Sequence, residues 1–309
     1  MGKNICIFGL ANGVGISRDI SIIKDVLIHN GFEVDIQNPF KPHLKKHYDM
    51  SIFLERFSDG VLEASPINIF IPNPEWFEPG WLPALNSFSC VFTKTHMATD
   101  VFKNLGCVTE YIGFTSEDRF LPNVNKDYMH WFHLAGKSIQ KQTEIVWKTW
   151  QKNPGFPQLT ILQDPKFFKS RPVLRNVNYM YDRMPEYLLK VMQNTFGVHV
   201  CPSITEGFGH YIMEAMSCQS IVITTNAVPM TEFITKESGV LVDIIKQEKM
   251  RLSISNIISV ETLEKAVIQA MVMDDMSRIN IGRRVREFFL NNDVEFKKRF
   301  IHAVKKCLD

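Results

Sequence analysis

Two glutamates, Glu206 and Glu214, flank the turn Gly207-Phe208-Gly209 within VCPSITEGFGHYIMEAMSCQSIVIT, residues 200–224. Carboxylates accept hydrogen bonds from hydroxyls, and glycines let the backbone approach a ligand closely. On one continuous helix, residues eight apart are separated by roughly 12 Å along the axis and about 80° in direction. That separation resembles the distance from a ribose to a second sugar ring. A helix starting at the glycine turn offers its free N–H groups and the positive end of its dipole to an anion. A pyrophosphate between two hydroxyl-rich rings fits this layout. On these residues alone, two solvated glutamates on a surface helix remain the plainer alternative.

A diphosphate also calls for cations. The stretch WFHLAGKSIQKQT places Lys137 and Lys141 just after a strand over 131–136, at the expected N-terminal turn of a helix over 138–151. Two ammonium groups there could offset the charge of a departing nucleoside diphosphate. Ordinary exposed lysines of a first helical turn would read the same way.

The elements that must position these residues alternate along the chain. NICIFGL, a glycine loop, the helical RDISIIKDVLIHNG and FEVDI form a βαβ opening, which predicts a parallel sheet. Apolar runs at 50–55, 67–72, 89–94 and 108–113 read as strands covered on both faces, with a helix near 96–105. The polar stretch 115–128 carries Pro122 and no periodicity, and reads as the connection between domains. The alternation then restarts: strands at 131–136, 158–163, 175–180, 198–203, 220–225 and 239–243, helices at 138–151, 185–195 and 208–218, and helix again from 260 to 309. Two successive doubly wound modules follow, with ligands expected at the C-terminal ends of their strands.

The chain has 309 residues, 45% apolar and 22% charged, with a formal charge of +2. This is globular composition, long enough for two domains, and too nearly neutral to announce a nucleic-acid or membrane-surface protein by itself. Six scattered cysteines without C-x-x-C or zinc-like spacing suit a reduced, cytoplasmic chain. The start, MGKNICIFGLANGVGI, is broken by glycines and reads neither as a secretion leader nor as an acylation signal. No apolar run is long enough to span a bilayer, so membrane contact is expected only as a peripheral visit from the inner face.

PSITEGFGHYIMEAMSCQSIVIT, followed by AVPMTEFI and GVLVD, resembles the donor-site signature of retaining GT-B glycosyltransferases of the large family-4, group 1 type, where E-x7-E and a P-x-x-E recur. LAGKSIQKQT resembles the family's G-R/K-x-x-x-K segment. The resemblance covers the second half well and the first half in topology only. It implies two Rossmann-like parallel-sheet domains facing a cleft: an acceptor domain over 1–125, a nucleotide-sugar donor domain over 126–290, and a C-terminal helix (291–309) packing back on the first. It further implies that Glu206 binds hydroxyls of the donor sugar and Glu214 the ribose hydroxyls. The backbone from Gly207 through Phe208 and Gly209 would meet sugar or phosphate, Lys137 and Lys141 the diphosphate, and Tyr181, Arg183 and Met184 the base. The implied activity is metal-independent transfer of a sugar with retention, with no cofactor beyond the nucleoside-diphosphate sugar itself. Lys137 stands where the family has Arg, which loses bidentate phosphate geometry, and Cys218-Gln219 stands where a glycine is common, an expected change in donor-pocket shape.

On the acceptor side, Gly13 and Gly15 in the first loop, Asn73 and Glu75 after the fourth strand, and His96 after the fifth are cleft candidates; His96 reads equally as a helix-start residue. Gly13-x-Gly15-x-x-Arg18 stops short of G-x-G-x-x-G, yet Asp35 ends the second strand where a dinucleotide-binding acid would stand. An NAD-dependent oxidoreductase is therefore one rival, and a catalytically inactive GT-B sugar-nucleotide-binding protein the other. No D-x-D occurs, so a metal-clamped donor site is not expected. Lys41, Lys45 and Lys46 in KPHLKKHYD form a basic loop, either solvated or facing an anionic acceptor or surface.

Overall fold

The computed structural model describes residues 2–11, 13, 15–44, 47–167, 171–181 and 184–309. The chain divides into two compact units. The first comprises 1–116, 249–253 and 291–309; the second comprises 117–248 and 254–290.

In the first unit, strands β1 (Asn4–Gly9), β2 (Glu33–Gln37), β3 (Met50–Leu54), β4 (Asn68–Ile71), β5 (Cys90–Thr93) and β6 (Thr109–Tyr111) form one sheet in the order β2-β1-β3-β4-β5-β6. All its pairings are parallel. Helices α1 (Gly15–His29) and α2 (His96–Asn104) supply crossovers. The central strands are buried along almost their whole length, which is why they read as unbroken apolar runs rather than alternating ones. A phenylalanine cluster fills one side of the sheet: Phe8 stacks on Phe53 at 4.8 Å, and Phe88 meets Phe53, Phe57 and Phe70 at 5.6, 5.0 and 4.9 Å.

The second unit holds β7 (Asp127–Gly136), α3 (Thr143–Lys152), β8 (Gln158–Gln163), β9 (Val177–Met180), α4 (Glu186–Thr195), β10 (Phe196–Cys201), α5 (His210–Ser217), β11 (Ile221–Thr225), β12 (Val240–Val242) and α6 (Val260–Met271). Its sheet runs β12-β11-β10-β7-β8-β9, again parallel throughout. Its main core gathers Trp131, Trp150, Ile161, Val200, Ile223 and Leu263.

Several elements depart from the sequence expectations. Charged KQEKM forms β13 (Lys246–Met250), paired with β14 (Ser253–Ile257), a pair that apolar patterning does not reveal. The C-terminal region ends in one 34-residue helix, α7 (Asp275–Leu308). The stretch 115–128 is anchored rather than loose: Asn194 Nδ2 donates to Arg119 O at 2.7 Å while its Oδ1 accepts from Leu121 N at 2.9 Å, and β7 begins at Asp127.

At the C-terminal ends of the first unit's strands lies a buried polar network. Lys94 Nζ meets Asp19 Oδ2 at 2.5 Å, with both side chains 3% exposed, and donates to Asn73 Oδ1 at 3.1 Å. Asn73 in turn donates to Glu55 Oε2 at 2.8 Å. Removing one partner of such a pair strands a charge away from water. Lys94→Met is therefore expected to cost the first unit about 3–5 kcal/mol, read as a lower urea midpoint, and Asp19→Leu added to it to recover most of the loss. A single variant as stable as wild type would contradict this.

Candidate active site

Numbered from its own first strand, the second sheet has the order 3-2-1-4-5-6, and the direction of winding reverses between β7 and β10. Loops leaving the C-terminal ends of adjacent strands diverge at such a point and leave a crevice for a ligand. The two loops here are 137–142, after β7, and 202–209, after β10. They carry Lys137 and Lys141 on one side and Glu206, Gly207, Phe208 and Gly209 on the other.

Backbone groups in a buried loop must find partners, and those of the second loop are met by bonds from distant residues. Ile204 N donates to Gln140 O at 2.9 Å, and Ile204 O accepts from Asn256 N at 2.8 Å and Asn256 Nδ2 at 3.0 Å. Gln142 holds a left-handed backbone (φ 48°), and its side chain donates to Pro202 O at 2.8 Å while accepting from Ile258 N at 3.1 Å. That conformation breaks the expected helix over 138–151: Ile139–Lys141 is a 3-10 turn and α3 starts at Thr143. The two lysines thus lie on a turn ahead of the helix, Lys137 exposed and Lys141 half-buried.

Glu206 is half-buried between these loops. Burial pushes its carboxyl above the ordinary value, opposed by the Lys141 charge, a hydrogen bond from Ser203 and the nearby His210. Ser203 Oγ donates to Glu206 Oε1 at 2.5 Å and lies 2.5 Å from the hydroxyl of buried Tyr211. The Ser203 backbone carbonyl accepts from Thr225 Oγ1 at 2.6 Å. Lys141 Nζ sits 3.7 Å from the centre of the Tyr211 ring and donates to Leu134 O at 3.1 Å. The Lys141 ammonium and the Glu206 carboxylate are in this way fixed by shared neighbours.

The helical spacing assigned to Glu206 and Glu214 does not hold. Gly209 takes φ 94°, a left-handed backbone that L side chains rarely adopt, and caps a helix that begins only at His210. Glu206 precedes that helix. Glu214 lies within it, 0% exposed, accepting from Gln193 Nε2 at 2.8 Å. Arg119, also 0% exposed, balances it: burial disfavours the guanidinium, but Glu214, Glu186 and Glu117 outweigh that and hold its pKa above the ordinary value. Phe208 is buried against Phe233 and His210. Gln219 occupies the position where the family commonly has glycine and carries φ 61°. The departure there strains a turn after α5, at about 1–2 kcal/mol.

Of the remaining candidates, Tyr181 is exposed and Met184 packs on the cluster of Phe132, Leu162 and Leu189; Arg183, Lys45 and Lys46 lie outside the described residues. In the first unit, Gly13 has φ 71° and donates its N–H to Ser17 Oγ at 2.8 Å, and Gly15 opens α1. Asn73 belongs to the Lys94 network, and Glu75 is buried in a 3-10 turn. His96 starts α2 and stacks on Tyr111 at 3.9 Å. Lys41 is exposed beside exposed Phe40. Asp35, the acid a dinucleotide site would use, accepts from Tyr48 at 2.7 Å. Sequence reasoning missed Ser203, Tyr211, Gln142 and Arg119; Ser203 and Tyr211 stood inside the motif, but only their placement gives them a task. Among the described residues no group of three or more His, Cys, Asp or Glu is placed to hold a metal ion, and no helix is long and apolar enough to cross a membrane.

Two parallel six-stranded sheets of this kind match the GT-B fold of solved glycosyltransferase structures. Residues 168–271 match the family described as "Glycosyl transferases group 1". A glycosyltransferase from Rickettsia africae superposes with a TM-score of 0.77 at 11% identity, covering 100% of this chain and 99% of that one. Anabaena Alr3699/HepE, solved in complex with UDP-glucose, gives 0.73 at 14% identity over 98% and 100%. Sucrose-phosphate synthase from Thermosynechococcus elongatus gives 0.72 at 14% over 98% of each chain. At these identities the likeness shows the fold. No curated protein matches by sequence.

The strands under the site hold two buried histidines in the neutral form. His133 bridges Val200 O at 2.7 Å and Thr143 Oγ1 at 2.9 Å, and burial pulls its pKa down to about 4. Burial takes His199 to about 3. An unfolded histidine titrates near 6.5, so between these values the unfolded state binds more protons and stability falls as pH falls. The neutral-histidine contribution is complete above pH ~6.5 and declines toward the folded values, by about 2 kcal/mol for each at pH ~5. Melting temperature should drop between pH ~7 and ~5, and less steeply in His199→Gln; an equal slope in that variant would contradict the assignment.

Proposed function

We propose that the protein transfers a sugar from a nucleoside-diphosphate sugar to an acceptor, with retention of anomeric configuration and without a divalent metal. One observation carries this reading: an enclosed carboxylate, Glu206, and an ammonium, Lys141, face the same switch-point loops, with Glu206 inside the segment that matches group 1 glycosyl transferases. Lys141 and Lys137 take the diphosphate, helped by the N–H groups around Gly207, Phe208 and Gly209. Glu206 accepts from hydroxyls of the donor sugar. Tyr181, Arg183 and Met184 take the base side and Glu214 the ribose, a contact that requires the residues covering Glu214 to move because none of its surface is open.

The chemistry needs no protein nucleophile. The bond from the anomeric carbon to the diphosphate oxygen breaks while the acceptor oxygen bonds to the same face of that carbon. The acceptor's proton passes to the departing phosphate. Lys137 and Lys141 stabilise the negative charge gathering on the leaving group, with Lys137 acting as a point charge where Arg would clamp two oxygens. UDP-glucose is the first donor to try, because the Anabaena protein was solved with it.

Acceptor contacts are assigned to the first unit, around Gly13, Gly15, Asn73, Glu75 and His96. The loop with Lys41, Lys45 and Lys46 suits an anionic acceptor or the inner surface of a membrane. All six cysteines are free thiols, which suits the cytoplasm.

A thermal-shift panel of UDP, GDP, ADP, their glucose esters and NAD, without metal, tests this reading. One nucleotide series should raise the melting temperature of wild type, a ligand at 100 times its Kd adding about 2.7 kcal/mol, and Glu206→Ala should lose the added effect of the sugar. Stabilisation by NAD alone, or by none of the panel, would sink the proposal. Binding without release of nucleoside diphosphate in the presence of any acceptor would point instead to an inactive sugar-nucleotide-binding protein.

A further inference from the structure

Tyr211 is the fifth residue after Glu206 and the second of α5, a position that fixes its side chain under the switch-point loops. It is 4% exposed, and each end of the side chain meets a different part of the site. The ring face carries Lys141, whose Nζ is 3.7 Å from the centroid. A cation over an aromatic face is attracted by the ring quadrupole, more strongly where water is excluded. The hydroxyl lies 2.5 Å from Ser203 Oγ, which donates to Glu206 Oε1 at 2.5 Å. Ser203 has a single proton. If that proton goes to the carboxylate, the bond between the two hydroxyls must run from Tyr211 to Ser203. The chain therefore has one direction: Tyr211 donates to Ser203, and Ser203 donates to Glu206. Burial, with Cys201 and Glu206 nearby, raises the phenol's pKa well above its usual value, so the donor proton stays in place.

We propose that Tyr211 is a positioning residue that sets the two poles of the donor site independently, its ring holding Lys141 for the diphosphate and its hydroxyl, through Ser203, holding Glu206 for the sugar. The preference for an intact nucleotide-sugar over the free nucleoside diphosphate then depends on the hydroxyl alone. This rests on the donor-site reading given above.

The two ends can be separated by substitution. Tyr211→Phe keeps the ring under Lys141 and removes the donor to Ser203. Tyr211→Leu removes both. Affinities for UDP and UDP-glucose, with the GDP and ADP pairs in parallel, are measured by calorimetry on the full chain. Tyr211→Phe should leave nucleoside-diphosphate affinity within about twofold and weaken the sugar ester by up to about tenfold, the upper size of a hydrogen bond between neutral groups. Tyr211→Leu should weaken both. Ser203→Ala should reproduce the Tyr211→Phe pattern, which keeps the test open if the leucine variant does not fold.

A pH readout separates positioning from mere packing. Ser203 lowers the Glu206 pKa, and a serine that loses its own donor holds the carboxylate less firmly. The acidic limb of sugar-ester affinity should therefore move to higher pH in Tyr211→Phe. Equal weakening of diphosphate and sugar ester in Tyr211→Phe, or an unchanged preference together with an unmoved limb, would overturn the proposal while leaving the donor site standing. Wild type that binds none of the panel would overturn the donor site and this proposal together.

Discussion

A carboxylate withdrawn from water must be compensated or it takes up a proton, and the turn after β10 is arranged around that requirement at Glu206. Burial pushes the group toward neutrality, while Lys141, Ser203 and His210 pull it back toward the ionised form. Each of these partners needs a fixed position of its own. Lys141 rests on the Tyr211 ring, Ser203 is tied through its carbonyl to Thr225, and His210 opens a helix whose start is set by the left-handed Gly209. Gln142 and Asn256 satisfy the loop backbone from the other side. Interactions of this kind are mutually dependent, so their energies are not expected to add.

Both units repeat the same physical solution at other buried charges. In the first, Asp19 and Lys94 neutralise each other at the ends of the strands, with Asn73 and Glu55 extending the network. In the second, Arg119 lies among Glu117, Glu186 and Glu214 behind α5. A buried pair such as Lys94 and Asp19 adds little net stability against well-packed apolar groups. At the ends of parallel strands such groups hold polar side chains in definite places.

The architecture was legible because strands buried on both faces, such as NICIFG, MSIFL and IVITT, are continuous apolar runs, and the helices between them carry a 3.6-residue period. The positions of Lys137, Lys141 and Glu206 after strand ends were legible for the same reason, since the topology fixes which loops face a ligand. Element ends were not. Gln142 and Gly209 bend the chain left-handed, which moves two helix starts downstream and takes Glu206 off the helix it was expected to share with Glu214. Nor could a pattern show β13, whose exposed charged residues are paired only with β14. Arg119 sits in a polar, aperiodic stretch and is fully buried, because its partners come from 67 and 98 positions away. Local periodicity carries no information about contacts at such separations.

A crystal structure of the full chain with the nucleoside-diphosphate sugar that stabilises it tests the central claim most directly. The diphosphate is expected at the ends of β7 and β10, with Lys141 Nζ within hydrogen-bond reach of its oxygens and Glu206 accepting from the sugar. A ligand seated on the Asp35 edge of the first sheet, or a sugar with no contact to Glu206, would contradict it.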